Sequence, residues 1–172
     1  NTIAWYENDG ASDPAWTAAD IATNADHAFG VFAADMDGDG DMDILSASPG
    51  DDTIAWYEND GASDPTWTAA DINTNADYTT SVYAADMDGD GDMDIVSASM
   101  NDNTIAWYEN DGASDPTWAA SDIATNADNA FGVFAADLDG DGDMDIVSAS
   151  RVDDTIAWYE NDGTSDPAWT AA

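Results

Sequence analysis

Lysine and cysteine are both absent from this sequence, and Arg151 and His27 are its only basic side chains. Without cysteine there are no disulfide staples and no thiolate metal sites, although this alone does not name a compartment. The near absence of basic residues leaves 38 acidic side chains and a formal net charge of −37, which excludes nucleic acid and anionic membrane surfaces as partners. No apolar run approaches the roughly 18 to 20 residues of a membrane span, and no basic segment followed by an apolar one opens the chain. An initiator methionine is also missing, and the abrupt start at Asn1-Thr2 and stop at Ala171-Ala172 read as a mature form or an excerpt of something longer.

What is present argues for a fold. Hydrophobic residues make up 44% of the 172 positions and include eight Trp, too apolar a composition for disorder despite the charge. A compact body so acidic repels itself unless bound cations neutralise it locally.

Self-similarity organises the chain. The run Ile-Ala-Trp-Tyr-Glu-Asn-Asp-Gly begins at Ile3, Ile54, Ile105 and Ile156, a period of 51 residues, and the acidic loops starting at Asp35, Asp86 and Asp137 keep the same period. Within one period Val31-Phe32-Ala33-Ala34 and Ile44-Leu45-Ser46-Ala47-Ser48 read as two strands around an acidic turn. Thr53 to Glu58 alternates as a third strand ending at the turn signal Asn59-Asp60-Gly61, and Pro65 to Ala69 supplies a fourth, edge-like strand. Four strands per period is the size of a propeller blade, so the expected fold is all-β, with tandem four-stranded antiparallel blades. The expected organisation is an orphan hairpin over 1–21, then repeats over 22–72, 73–123 and 124–172. The Ala-rich stretch Ala18 to Ala28 has Ile21 as its only large aliphatic and reads as a connecting loop, as do 69–79 and 120–130.

Each acidic loop reads Asp-x-Asp-Gly-Asp-Gly-Asp-x-Asp. The candidate metal ligands are Asp35, Asp37, Asp39, Asp41 and Asp43, then Asp86, Asp88, Asp90, Asp92 and Asp94, then Asp137, Asp139, Asp141, Asp143 and Asp145. Carboxylates at loop positions 1, 3 and 5, a turn-making Gly at 6 and a backbone carbonyl at 7 are how a short loop wraps oxygen around calcium. Position 12 is Ser46, Ser97 or Ser148, so the bidentate Glu of helix-flanked loops is missing, and Asp43, Asp94 and Asp145 must close the site. Side-chain ligation is expected from the first, second, third and fifth Asp of each loop, with Asp41, Asp92 and Asp143 giving main-chain oxygen. Magnesium, which usually keeps several waters, fits less well. One Ca2+ per loop, three in all, would bring the formal charge from −37 to −31, relieving local crowding more than global charge.

The run Ala33-Ala34-Asp35-Met36-Asp37-Gly38-Asp39-Gly40-Asp41-Met42-Asp43-Ile44, followed by Ile54-Ala55-Trp56-Tyr57-Glu58-Asn59, closely resembles the FG-GAP/VCBS repeat family over the whole chain. Phe29-Gly30 and Phe131-Gly132 look like that family's Phe-Gly element, whereas Thr80-Ser81 departs from it and no Gly-Ala-Pro follows. The resemblance implies integrin-type propeller blades on secreted or cell-surface proteins with adhesive or carbohydrate-related roles. Propellers typically close with 4 to 8 blades, so ring closure here needs more blades, further chains, or gives way to an open array.

The function expected from these features is an extracellular calcium-binding scaffold with a structural or adhesive role, self-associating with other copies or further repeats into a filament. The alternative is a lectin-like module, with Trp5, Trp16 and their equivalents stacking on sugars, although Trp that recur in every repeat fit blade-to-blade packing better. Variation among the repeats is concentrated in two runs, around Pro49, Met100 and Arg151, and around His27, Tyr78 and Asn129, and these suit a ligand better. No catalytic constellation stands out: His27 gives way to Tyr78 and Asn129, and the series Glu7, Glu58, Glu109, Glu160 recurs as structure does. There is no Asn-x-Ser/Thr acceptor, while Thr-rich loops leave O-linked sugars open.

Overall fold

The computed structural model describes residues 1–171 and is all-β in its regular structure. The chain opens with a hairpin, β1 (Ile3–Asn8) and β2 (Trp16–Ala22), and continues as three antiparallel four-stranded sheets. Blade 1 is β3 (Gly30–Ala34), β4 (Asp43–Ser48), β5 (Thr53–Asn59) and β6 (Trp67–Asn73). Blade 2 is β7 (Thr79–Ala85), β8 (Asp94–Ser99), β9 (Thr104–Asn110) and β10 (Trp118–Ala124). Blade 3 is β11 (Ala130–Ala136), β12 (Asp145–Ser150), β13 (Thr155–Asn161) and β14 (Trp169–Ala171). In every blade the strands neighbour one another in chain order, so each sheet is a simple meander.

The repeated sequence gives a repeated register. Leu45 faces Trp56 across β4 and β5, and the same pairing recurs as Val96 with Trp107 and Val147 with Trp158. Such pairs of aliphatic and aromatic residues stabilise a sheet by roughly 0.2–1 kcal/mol each.

The fourth strand lies further along than the turn signals suggested, at Trp67–Asn73 instead of Pro65 to Ala69, so the first half of each supposed connecting loop is strand. Ala69, Ala70 and Asp71 are weak strand formers, but they pair with Tyr57, Trp56 and Ala55, and the ladder to a fully formed neighbour outweighs their propensity. A bulge between Ile54 and Ala55 then carries the strand on to Asn73. The connecting loop is correspondingly shorter.

The core lies between blades. Leu45, Ala47, Ile54 and Trp56 of blade 1 pack on Val82, Ala84, Ile95, Ala106 and Tyr108 of blade 2. Their counterparts Val96, Ala98, Ile105 and Trp107 pack on Val133, Ala135, Ile146 and Tyr159 of blade 3. Ile3 and Ala22 of the hairpin meet Ala55 and Tyr57 of blade 1 in the same manner. Ile54 and Ile105 are fully buried, and each such side chain stabilises by about 1.5–3 kcal/mol. The recurrent Trp therefore serve as blade-to-blade packing: Trp56 and Trp107 are buried, and Trp107 meets Trp169 of the next blade edge-on at 6.4 Å.

The first strands of successive blades lie side by side, with Phe32, Tyr83 and Phe134 forming an aromatic row at centroid spacings of 4.5 and 4.6 Å. Thr80 Oγ1 donates to the carbonyl of Phe131 at 2.9 Å across the same junction. The three blades and the hairpin do not close on themselves and stand as an open array.

Candidate metal centre

A meander sends alternate turns to opposite ends of the blade. The acidic loops between first and second strands therefore share one end with the Asn-Asp-Gly turns between third and fourth. The two variable regions occupy the other end. At the acidic end the Asp41 carboxylate sits directly against Gly61, whose φ of +68° and missing side chain leave room for it. Asp92 against Gly112 and Asp143 against Gly163 repeat the contact.

Each loop folds around its own backbone. Asp35 Oδ2 accepts from the Gly40 N–H at 3.0 Å, Asp37 Oδ1 from Asp39 at 3.2 Å, and Asp39 Oδ1 from Asp41 at 2.9 Å. Gly40 itself has φ +99°, a conformation that makes glycine the fitting residue at the sixth loop position. In the second loop Asp86 accepts from Gly89 and Gly91, Asp88 from Asp90, and Asp90 from Asp92. In the third, Asp137 accepts from Gly140, Asp139 from Asp141, and Asp141 from Asp143.

These turns bring carboxylates together. One oxygen from each of Asp35, Asp37 and Asp43 lies within 4.8 Å of the others, and the same holds for Asp86, Asp88, Asp90 and for Asp137, Asp139, Asp141. Asp39 joins no triplet in the first loop, whereas its equivalents do in the other two. The carboxylates of Asp41, Asp92 and Asp143 turn away to the glycine contacts, which leaves main-chain oxygen as their route to a metal.

The last Asp of the loop is the most buried, and its position is set by backbone donors. Asp43 accepts from Met36 at 3.0 Å and Asn59 at 2.8 Å, and Asp94 from Met87 at 3.0 Å and Asn110 at 2.8 Å. Asp145 is held likewise by Leu138 and Asn161. Each oxygen of a carboxylate has two acceptor sites, so these bonds leave capacity for a cation.

The residues fit a hard divalent cation. The donor set is oxygen throughout, and Asp35 Oδ1 is buried without a hydrogen-bond donor among the described residues. In the absence of metal some of the loop carboxylates hold their protons more tightly than a free Asp. Burial pushes Asp94 up to about 7 despite the two backbone N–H groups that oppose it. Burial also raises Asp37, Asp88 and Asp139, with neighbouring carboxylates adding to the shift in each. A +2 ion would oppose both by favouring the ionised carboxylates.

One functional element escaped the sequence reading. Asn110 Nδ2 donates to Met93 O of its own acidic loop at 3.1 Å and to Met36 O of the preceding blade's loop at 2.9 Å. Asn161 does the same with Met144 O at 3.0 Å and Met87 O at 2.8 Å. The signal for it lies in the unvarying Glu-Asn-Asp-Gly run, which marks a turn and also carries this Asn in every repeat.

Four-stranded blades in tandem, each presenting an aspartate loop at the same corner, define a repeat protein of blade type. The chain belongs to the FG-GAP-like repeat family, whose model matches residues 1–46, 35–97, 86–148 and 137–172. No curated protein matches the sequence.

Proposed function

We propose that this chain is an extracellular calcium-binding scaffold without catalytic function, its three acidic loops each taking one Ca2+ to stiffen the array. The observation that carries this reading is the convergence of three Asp oxygens within 4.8 Å in every blade. Asp35, Asp37, Asp39 and Asp43 and their equivalents would supply side-chain oxygen, with Asp41, Asp92 and Asp143 giving carbonyl oxygen. Extracellular modules bind calcium at roughly 10⁻⁴ to 10⁻³ M, a range compatible with a secreted or surface setting. Among the described residues no helix is long and apolar enough to cross a membrane.

Calorimetric titration of the chelated chain tests this. Three calcium ions per chain are expected, falling to two in Asp86→Asn/Asp88→Asn, with weaker binding of magnesium. A chain that takes up no calcium and gains no thermal stability from it would sink the proposal.

A second reading, carbohydrate binding, is favoured by the opposite end of the blades. There the two variable regions meet: Met100 N–H donates to Tyr78 O at 3.1 Å and Arg151 N–H to Asn129 O at 3.2 Å. His27, Phe29, Pro49 and Tyr78 line a cavity of about 400 Å³. Saturable sugar binding lost in Tyr78→Ala would support it.

A further inference from the structure

The acidic loops of blades 1, 2 and 3 are joined by hydrogen bonds that run from blade to blade without a break. In blade 1, Met36 N–H donates to Asp43 Oδ2 at 3.0 Å, and Met36 O accepts from Asn110 Nδ2 at 2.9 Å. Asn110 N–H in turn donates to Asp94 Oδ1 in the loop of blade 2 at 2.8 Å. The next junction repeats the steps. Met87 N–H donates to Asp94 Oδ2 at 3.0 Å, Met87 O accepts from Asn161 Nδ2 at 2.8 Å, and Asn161 N–H donates to Asp145 Oδ1 at 2.9 Å. The last aspartate of one loop is tied to the last aspartate of the next through one methionine backbone and one asparagine.

We infer that this relay couples the calcium sites, so that filling one loop raises the affinity of the loop in the adjoining blade. The inference rests on the calcium reading above and adds the regulation of those sites. Met36 lies between Asp35 and Asp37, two of the expected ligands, and is 1% exposed, so a loop that closes around an ion also sets the direction of Met36 O. Asn110 transmits that setting because its amide is held on every side. Its Oδ1 accepts from Gly112 N–H at 3.0 Å, and its Nδ2 donates both to Met36 O and to Met93 O, the carbonyl next to Asp94. Asn110 and Asn161 are 3% and 2% exposed, so water competes little for these bonds. A loop ordered by its own ion holds Asn110, and with it Asp94, before the neighbouring ion arrives, and the second ion meets a site already ordered. Linkage makes the effect equal in both directions.

Charge alone gives the opposite sign. An ion in one loop weakens the negative potential at its neighbour and so disfavours the next ion, an effect that salt at about 0.15 M screens beyond about 8 Å. Positive coupling therefore separates the relay from simple neutralisation.

Calorimetric calcium titration of the full chain at that ionic strength tests the relay, with one loop disabled at a time. With Asp137→Asn/Asp139→Asn in blade 3, the loops of blades 1 and 2 should each bind at least about 5-fold tighter when the other is filled. Adding Asp35→Asn/Asp37→Asn gives the reference affinity of blade 2 alone. Asn110→Ala should make blades 1 and 2 independent while blades 2 and 3, measured with blade 1 disabled, stay coupled. Asn161→Ala should do the reverse. A residue that only supported the fold would not sort the two junctions in this way. Independent or negative coupling with both asparagines intact overturns the inference, as does coupling of blades 1 and 2 that survives Asn110→Ala. The first of these readouts needs no asparagine substitution and so holds even where Asn110→Ala fails to fold. Uptake without coupling overturns the relay and leaves the calcium scaffold standing, whereas a wild type that takes up no calcium overturns both.

Discussion

Asn110 and Asp94 show how single side chains tie metal loop to blade junction. Asn110 is 3% exposed, and removing its side chain leaves the carbonyls of Met36 and Met93 without that donor. Asn110→Ala should cost roughly 2–3 kcal/mol, read from urea unfolding. Asn59→Ala should cost less, because Asn59 reaches only the exposed Met42 O at 3.1 Å.

Asp94 gives a pH dependence of definite sign. Burial raises it from 3.8 to about 7, so the folded metal-free chain binds this proton more tightly than the unfolded chain does. Stability from this group is present below pH 4 and is lost as pH rises through about 7. Asp60, Asp111 and Asp162 have the opposite sign, since hydrogen bonds from Thr66, Thr117 and Thr164 lower them, but their contribution changes only below 3.8. Thermal melts of chelated protein should thus show a lower Tm at pH 8 than at pH 5, and Asp94→Asn should flatten the slope. Calcium should restore more stability at pH 8, because it binds the ionised carboxylate.

At the scale of loop and strand, metal and packing make separate contributions. Calcium in 100-fold excess over its dissociation constant stabilises by about 2.7 kcal/mol per occupied site. Loss of one site in Asp86→Asn/Asp88→Asn should lower the calcium-loaded Tm by roughly 5–10 °C for a chain of this size. Strand packing is tested by the repeat itself, which places identical residues in different surroundings. Ile105→Ala opens a cavity between blades 2 and 3 and should cost about 2–5 kcal/mol. Ile156→Ala, on the open face, should cost well under 1 kcal/mol in dilute solution, both values coming from denaturant midpoints.

Over the whole molecule, stability is shared between neighbouring blades, as in other quasi-one-dimensional arrays. Blade 2 is covered on both faces, while the hairpin has two strands and one neighbour. Hydrogen exchange should be slowest in Asp94–Ser99 and Thr104–Asn110 and fastest in Ile3–Asn8. Uniform protection along the chain would instead mean that the array opens as one unit.

Much of this architecture was legible from the 51-residue period and the Asp-x-Asp-Gly-Asp loops, because strand alternation and turn chemistry are local properties. They set the all-β blades, the meander and the chain positions of the acidic turns. The extent of the fourth strand was not legible, since Ala69 to Asn73 is held in strand by β5 and not by its own propensity. Tertiary structure alone decided which Asp oxygens converge, why Asp94 is buried, and that Asn110 ties its own blade's loop to Met36, 74 residues back in the chain. The Ile-Ala-Trp-Tyr-Glu-Asn-Asp-Gly motif repeats identically, but burial does not: Ile54 and Ile156 are the same residue in it, and only the presence of a next blade distinguishes them.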